Sequence, residues 1–194
     1  MIHIVSEAVA RWLELEGIVS SSERTLFEYA AYSFLFGLLP FGIILLLGLC
    51  FRMVQEGFIF IIPFMLLRKF SGGFHLKSPG MCLAVTSGIL ALAMWLIKYI
   101  AYSGQTEIIT FFVVLSVVTL CIFSPVDNHA RPLSDRERIV FRKIARILSV
   151  ISLSVYFILL FDAELRYTSA FGVGVILVGF LQIPCIVGRQ FHWI

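Results

Sequence analysis

The chain has 194 residues, of which 60% are hydrophobic and 14% charged, and its mean hydropathy is +0.99. Soluble domains carry roughly 45–50% apolar and about 25% charged residues, and a globule of this size has too little interior to hide the surplus. A soluble enzyme, a disordered chain and a nucleic-acid-binding module are excluded, and the apolar solvent is lipid. The net charge is only +3, so its placement matters more than its size.

In chain order, the first 26 residues are acidic and mixed, without the basic start, apolar middle and cleavage site of a secretory signal. Ile4, Val5, Ala8, Val9, Trp12 and Leu13 recur at helical spacing, with Glu7, Arg11 and Glu14 opposite. This predicts an amphipathic helix, either docked on the bundle or lying in the membrane interface with Trp12 as anchor. A spanning helix needs about 20 mostly apolar residues. Residues 27–50, 82–102, 108–126 and 169–187 qualify, and 144–161 is slightly shorter. The stretch 53–67 is short, with Gln55 and Glu56 at its start and Pro63 near its end, which suits a thin or tilted span or a re-entrant segment. The expected fold is an all-α polytopic membrane helix bundle of about six segments. It comprises an interfacial segment, 1–26, and a single membrane domain, 27–194.

With six crossings and the N-terminus inside, Arg52, Lys98 and Arg166 fall outside and the other twelve of the 15 basic residues fall on the cytoplasmic side. Cytoplasmic loops collect Lys and Arg because their transfer across the membrane is unfavourable. If 53–67 failed to cross, the basic stretch 131–146 would face outward. The distribution therefore predicts six crossings with both termini cytoplasmic.

The loop 68–82 differs from everything around it. It holds the close pair His75 and Cys82, the Gly72–Gly73 turn, and the cations Arg68, Lys69 and Lys77. Ser78 followed by Pro79 is a helix-start signal, so Cys82 is expected in the first turn of the next span. A helix N-terminus carries partial positive charge, which favours an anionic sulfur, and its N–H groups can hold an oxyanion. His75 is the base of this loop that titrates near neutral pH. On the residues alone two readings stand: a thiol nucleophile with its base, or two bystanders in a membrane loop. No spacing suggests a metal site, and the other three cysteines, Cys50, Cys121 and Cys185, do not form a secreted disulfide framework.

The spacing Arg68…Gly72-Gly73…His75…Cys82 resembles the signature of the accessory gene regulator B (AgrB) family. The chain length, the hydrophobic layout and the segment Ser-Pro-Val-Asp-Asn-His-Ala-Arg-Pro-Leu at 124–133 resemble that family too, so the likeness covers nearly the whole chain. It implies a membrane cysteine endopeptidase of the bacterial plasma membrane, acting at the cytoplasmic face on an AgrD-type precursor peptide in quorum sensing. Cys82 is then the nucleophile and His75 the base and acid, with Arg68, Gly72 and Gly73 as supporting motif positions. The residues around Pro125, Asp127, Asn128 and Pro132 form a second landmark of unassigned role. The implied product is a thiolactone or lactone ring, and no cofactor, metal or nucleic acid is implied.

Two further expectations concern partners. The acidic tail expected of such precursors would find cations at Lys69, Lys77, Arg136, Arg138 and Arg142; the alternative is that the cations of 131–146 set topology and touch anionic lipid. Gly172, Gly174 and Gly179 allow close helix approach, either in a homodimer or inside the bundle. The rival functional classes are a small membrane transporter or scaffold, in which His75 and Cys82 are incidental, and a membrane cysteine acyltransferase.

Overall fold

The computed structural model describes residues 2–72, 79–126 and 134–190. They form seven helices: α1 (Ile2–Leu15), α2 (Arg24–Phe51), α3 (Val54–Ser71), α4 (Pro79–Ser103), α5 (Thr106–Phe123), α6 (Asp135–Asp162) and α7 (Leu165–Gln190). Five of them, α2 and α4 to α7, are long and apolar enough to cross a membrane. This is what lipid requires: a backbone without water to bond must satisfy its own N–H and C=O groups, and a helix does so within one segment. The protein is an all-helical, multi-pass membrane protein.

All six apolar stretches are helices, with ends within four residues of the hydropathy limits except at 144–161, where α6 begins nine residues earlier, at Asp135. At 108–126, α5 stops at Phe123 and the backbone at Ser124 is extended. Pro125 explains the early stop, because the residue before a proline is pushed out of the helical region.

Two compact units divide the chain, residues 1–43 and 44–194. In the first, α1 is held to the start of α2 by its polar face. Arg24 lies 3.8 Å from Glu7 and 3.4 Å from Glu14, and His3 lies 3.6 Å from Glu28. The apolar positions Ile4, Val5, Val9 and Trp12 stay exposed, while Ser6 and Ala10 are the buried ones. The apolar stripe of α1 is therefore not what docks this helix.

The second unit is built around α3 and α7. Phe60, Ile61 and Leu67 of α3 are among the most buried side chains, and α7 packs against α3, α4, α5 and α6. Close approach depends on three glycines of α7, Gly172, Gly174 and Gly179. A Cβ on Gly174 would lie 2.5 Å from the Phe60 carbonyl oxygen, on Gly179 2.7 Å from Ser116, and on Gly172 2.9 Å from the Tyr156 ring. These glycines serve contacts inside the bundle, so they offer no argument for a second copy of the chain.

The polar start of α3 is also accommodated internally. Glu56 is buried and its carboxylate lies 3.5 Å from Arg166 at the start of α7, while Gln55 accepts a 2.7 Å hydrogen bond from the Tyr167 hydroxyl. α3 is one uninterrupted helix of 18 residues, or about 27 Å at 1.5 Å per residue. Its length approaches the ~30 Å hydrocarbon thickness, and its cost in polar residues is met by α7 rather than by lipid.

Candidate active site at one end of the bundle

At the opposite end from Glu56, the end of α3, the start of α4, the end of α5, the start of α6 and the last third of α7 meet. Cys82 sits in the first turn of α4, which starts at Pro79 as the sequence predicts. Its thiol is half-buried and free. The guanidinium of Arg68, in the last turns of α3, interacts electrostatically with the sulfurs of both Cys82 and Cys185. The last turns of α3 and the first turn of α4 thus lie within electrostatic range of each other.

α3 ends at Gly72, whose φ is +74° and ψ −161°. An L side chain resists this conformation, and a Cβ here would also overlap the Val126 carbonyl oxygen. Gly72 pairs with Val126 in a parallel bridge, the sole bridge among the described residues, and the Val126 amide donates to the Ser71 carbonyl at 3.0 Å. The ends of α3 and α5 are therefore joined backbone to backbone, at Gly72 and Val126.

Behind this bridge lies Gln182 of α7, fully buried. Its amide nitrogen donates to the Ser71 carbonyl at 2.9 Å and to the Ser124 hydroxyl at 2.8 Å. The Gln182 carbonyl oxygen and the Ser71 hydroxyl are buried without hydrogen-bond partners among the described residues. Sequence reading passed over Gln182. The signal available was a lone amide in an apolar span, a residue type that is costly in lipid unless it is bonded.

The sequence profile described as Accessory gene regulator B matches residues 6–184. The chain belongs to the AgrB family. It is similar to Putative AgrB-like protein 2 of Clostridium perfringens (strain 13 / Type A), at 27% identity over 143 residues, covering 71% of this chain and 67% of that protein. It is also similar to Putative AgrB-like protein of Clostridium perfringens (strain SM101 / Type A), at 26% identity over 143 residues with the same coverage. No solved structure matches. Membership of the AgrB family supports a role in the agr quorum-sensing system.

Of the AgrB motif positions, Arg68, Gly72 and Cys82 are among the described residues and converge at this end. Gly73, His75 and Lys77, and Asp127, Asn128 and Pro132 of the second landmark, lie outside the described residues. Lys69 is exposed, with its ammonium 5.6 Å from the Phe70 ring centroid, and Phe70 meets Phe141 of α6 edge-on at 5.7 Å. Phe74, the other aromatic of the loop, lies outside the described residues.

The start of α6 carries the remaining cations. Ser134 caps it through a reciprocal box with Glu137, accepting at 3.3 Å from the Glu137 amide and donating its own amide to the Glu137 carboxylate at 3.0 Å. Arg136 and Arg142 are exposed and Arg138 is half-buried, while Arg146 turns back to donate to the Cys121 carbonyl at 3.0 Å. The helix thus presents a basic first turns' surface and ties its inner edge to α5.

Proposed function

We propose that this protein is a cysteine endopeptidase that removes the C-terminal tail of a small AgrD-type precursor and supports closure of the remaining peptide into a ring. The observation that carries the reading is the position of Cys82 in the first turn of a membrane-spanning helix, within electrostatic range of the Arg68 guanidinium, in a chain of this family. The Cys82 thiolate attacks the scissile carbonyl carbon, and the N-terminal turn of α4 is placed to receive the oxyanion. The C–N bond breaks, and the leaving amine takes the proton that His75 first accepted from the thiol. The tail departs, and the precursor is held as a thioester on Cys82. An internal thiol of the precursor then attacks that thioester, forming the ring thioester and returning the sulfur of Cys82; a precursor hydroxyl would give a lactone by the same route.

The exchange of one thioester for another is nearly energy-neutral, so the difficult step is the first, in which an amide becomes a thioester. Departure of the tail and of the product pulls it forward. Water competes for the acyl group, and a site beside Phe70 and Phe141 limits that competition by limiting access. The exposed cations Lys69, Arg136 and Arg142, together with Arg138 and Lys77, are suited to the acidic tail. The charge distribution supports cytoplasmic termini and a cytoplasmic active site, and the exposed apolar face of α1 with Trp12 supports an interfacial position for the first segment.

The deciding experiment is co-expression with a short peptide that has an amphipathic start, an internal cysteine and an acidic tail. Wild-type protein releases the tail, while Cys82→Ala and His75→Ala release none. Continued cleavage by both variants overturns the mechanism.

A further inference from the structure

The two faces of α1 differ in character, and each has its own neighbour. His3, Glu7 and Glu14 fall on one stripe of the helix, and all three reach α2. Arg24 lies 3.8 Å from Glu7 and 3.4 Å from Glu14, and His3 lies 3.6 Å from Glu28. The buried residues on this side, Ser6 and Ala10, are small, which allows close approach. The opposite side carries Ile4, Val5, Trp12 and Leu15, all exposed, with Trp12 at 56%.

The length of α2 fixes the depth at which α1 is held. Its 28 residues extend about 42 Å at 1.5 Å per residue, about 12 Å more than the ~30 Å hydrocarbon core. Its charged residues, Arg24 and Glu28, stand in the first turns, and its last turns are uncharged through Phe51. The excess therefore lies at the start, in the headgroup layer. α1 is tied to these same turns, and the His3 ring lies 6.2 Å from that of Tyr32. A helix held there by its polar side meets lipid with the other, as do the exposed Phe27 and Phe34 of α2.

Charge is the obstacle to this seat. α1 has two carboxylates, Glu7 and Glu14, against one cation, Arg11. Helices drawn to membrane surfaces are rich in Lys and Arg, and anionic headgroups repel an acidic one. Arg24, supplied by α2, removes the excess by standing beside both carboxylates.

We propose that Arg24 seats α1 on the membrane: it neutralises Glu7 and Glu14 so that the opposite face, with Trp12, lies in the interface of a bilayer containing anionic lipid. The proposal rests on the interfacial reading of the first segment and is independent of the endopeptidase chemistry.

The test uses the full chain with Trp95→Phe and Trp193→Phe, which leaves Trp12 as the sole indole. The protein is reconstituted in brominated phosphatidylcholine vesicles, with or without one-third phosphatidylglycerol, and quenching of Trp12 fluorescence is measured. Lipid quenching of Trp12 is expected in the parent protein. Arg24→Gln should lose at least half of it, with the larger loss in phosphatidylglycerol. Glu7→Gln/Glu14→Gln has the opposite charge change, so its quenching should rise with phosphatidylglycerol relative to the parent. Glu16, Glu23 and Glu28 are common to all these proteins, so only differences from the parent are read. The triple variant Arg24→Gln/Glu7→Gln/Glu14→Gln should regain the quenching that Arg24→Gln loses.

Unchanged quenching in Arg24→Gln overturns the proposal. So does an equal fall in both vesicle types without recovery in the triple variant, which would mark a purely structural contact. If Arg24→Gln fails to insert, the response of Glu7→Gln/Glu14→Gln to phosphatidylglycerol decides, and no response overturns it. A parent protein whose Trp12 escapes lipid quenching and is also shielded from acrylamide has this face covered by protein. That result refutes the interfacial reading itself, whereas a failed Arg24 variant in a quenched parent refutes only the role of Arg24.

Discussion

Gly72 and Val126 pair backbone to backbone, the one at the exit of α3 and the other just past the exit of α5. The carbonyl of Val126 fills the space where a side chain at position 72 would begin. A glycine of the loop motif is therefore explained by a contact to the other landmark, not by the loop to which it belongs.

Gly72→Ala should consequently damage both stability and processing. The left-handed backbone alone costs about 1–3 kcal/mol for a residue with a side chain, and the overlap with Val126 forces the two segments apart. Tail release is expected to fall tenfold or more, with a lower melting temperature in detergent. Gly88→Ala is the control: a Cβ there meets nothing, and replacing a helical glycine with alanine is expected to leave stability unchanged or raise it by about 0.5–1 kcal/mol. Equal behaviour of the two variants would refute the account of Gly72.

Gly174→Val tests the seam between α3 and α7. The added Cβ would stand 2.5 Å from the Phe60 carbonyl oxygen and 3.0 Å from Pro63, atoms of a buried helix that cannot give way locally. Overpacking of this kind costs roughly 1–3 kcal/mol. Thermal unfolding should show the loss, whereas Gly37→Val, at a position with open space, should show much less.

The ion pair at the far end of the bundle predicts an asymmetry. Glu56 is almost wholly buried while the Arg166 side chain is 45% exposed. Arg166→Ala strands a buried carboxylate and should destabilise more than Glu56→Gln, which leaves a half-exposed cation that still pairs with Glu164 at 2.7 Å. Removing Arg166 leaves the buried carboxylate uncompensated, and solvent screening of the exposed cation moderates the loss. The double variant Glu56→Gln/Arg166→Ala should recover part of the Arg166→Ala loss. Melting temperatures of the three proteins decide it.

For the acidic tail, Arg136 and Arg142 are the informative pair because both are exposed at the start of α6. Replacing both with alanine should raise KM for tail release several-fold with kcat nearly unchanged, and the difference should shrink at high salt, where exposed charges are screened. An unchanged KM in correctly inserted protein would return these cations to topology and lipid contact alone.

Much of the fold was legible because lipid imposes simple rules on composition. Each apolar stretch became a helix, and Pro79 started α4 where the Ser-Pro signal placed it. Three things were not legible. The ends of α5 depended on the extended turn before Pro125. The glycines of α7 have the same spacing whether they face a partner or the bundle, and only the positions of Phe60, Ser116 and Tyr156 distinguish the two. The apolar stripe of α1 signalled a helix but not which face docks, since the buried positions are Ser6 and Ala10 and the ion pairs run from Glu7 and Glu14 to Arg24.

By itself the sequence determined the solvent, the helical class, the motif Arg68…Gly72-Gly73…His75…Cys82 and the family it resembles, since these depend on composition and local spacing. Tertiary structure alone decided that Arg68 lies within electrostatic range of Cys82, that Gly72 meets Val126, and that Gln182 bonds both Ser71 and Ser124. Those contacts join residues far apart in the chain. Hydropathy and helical period describe how each helix faces its solvent, and carry no information about which helix stands beside which.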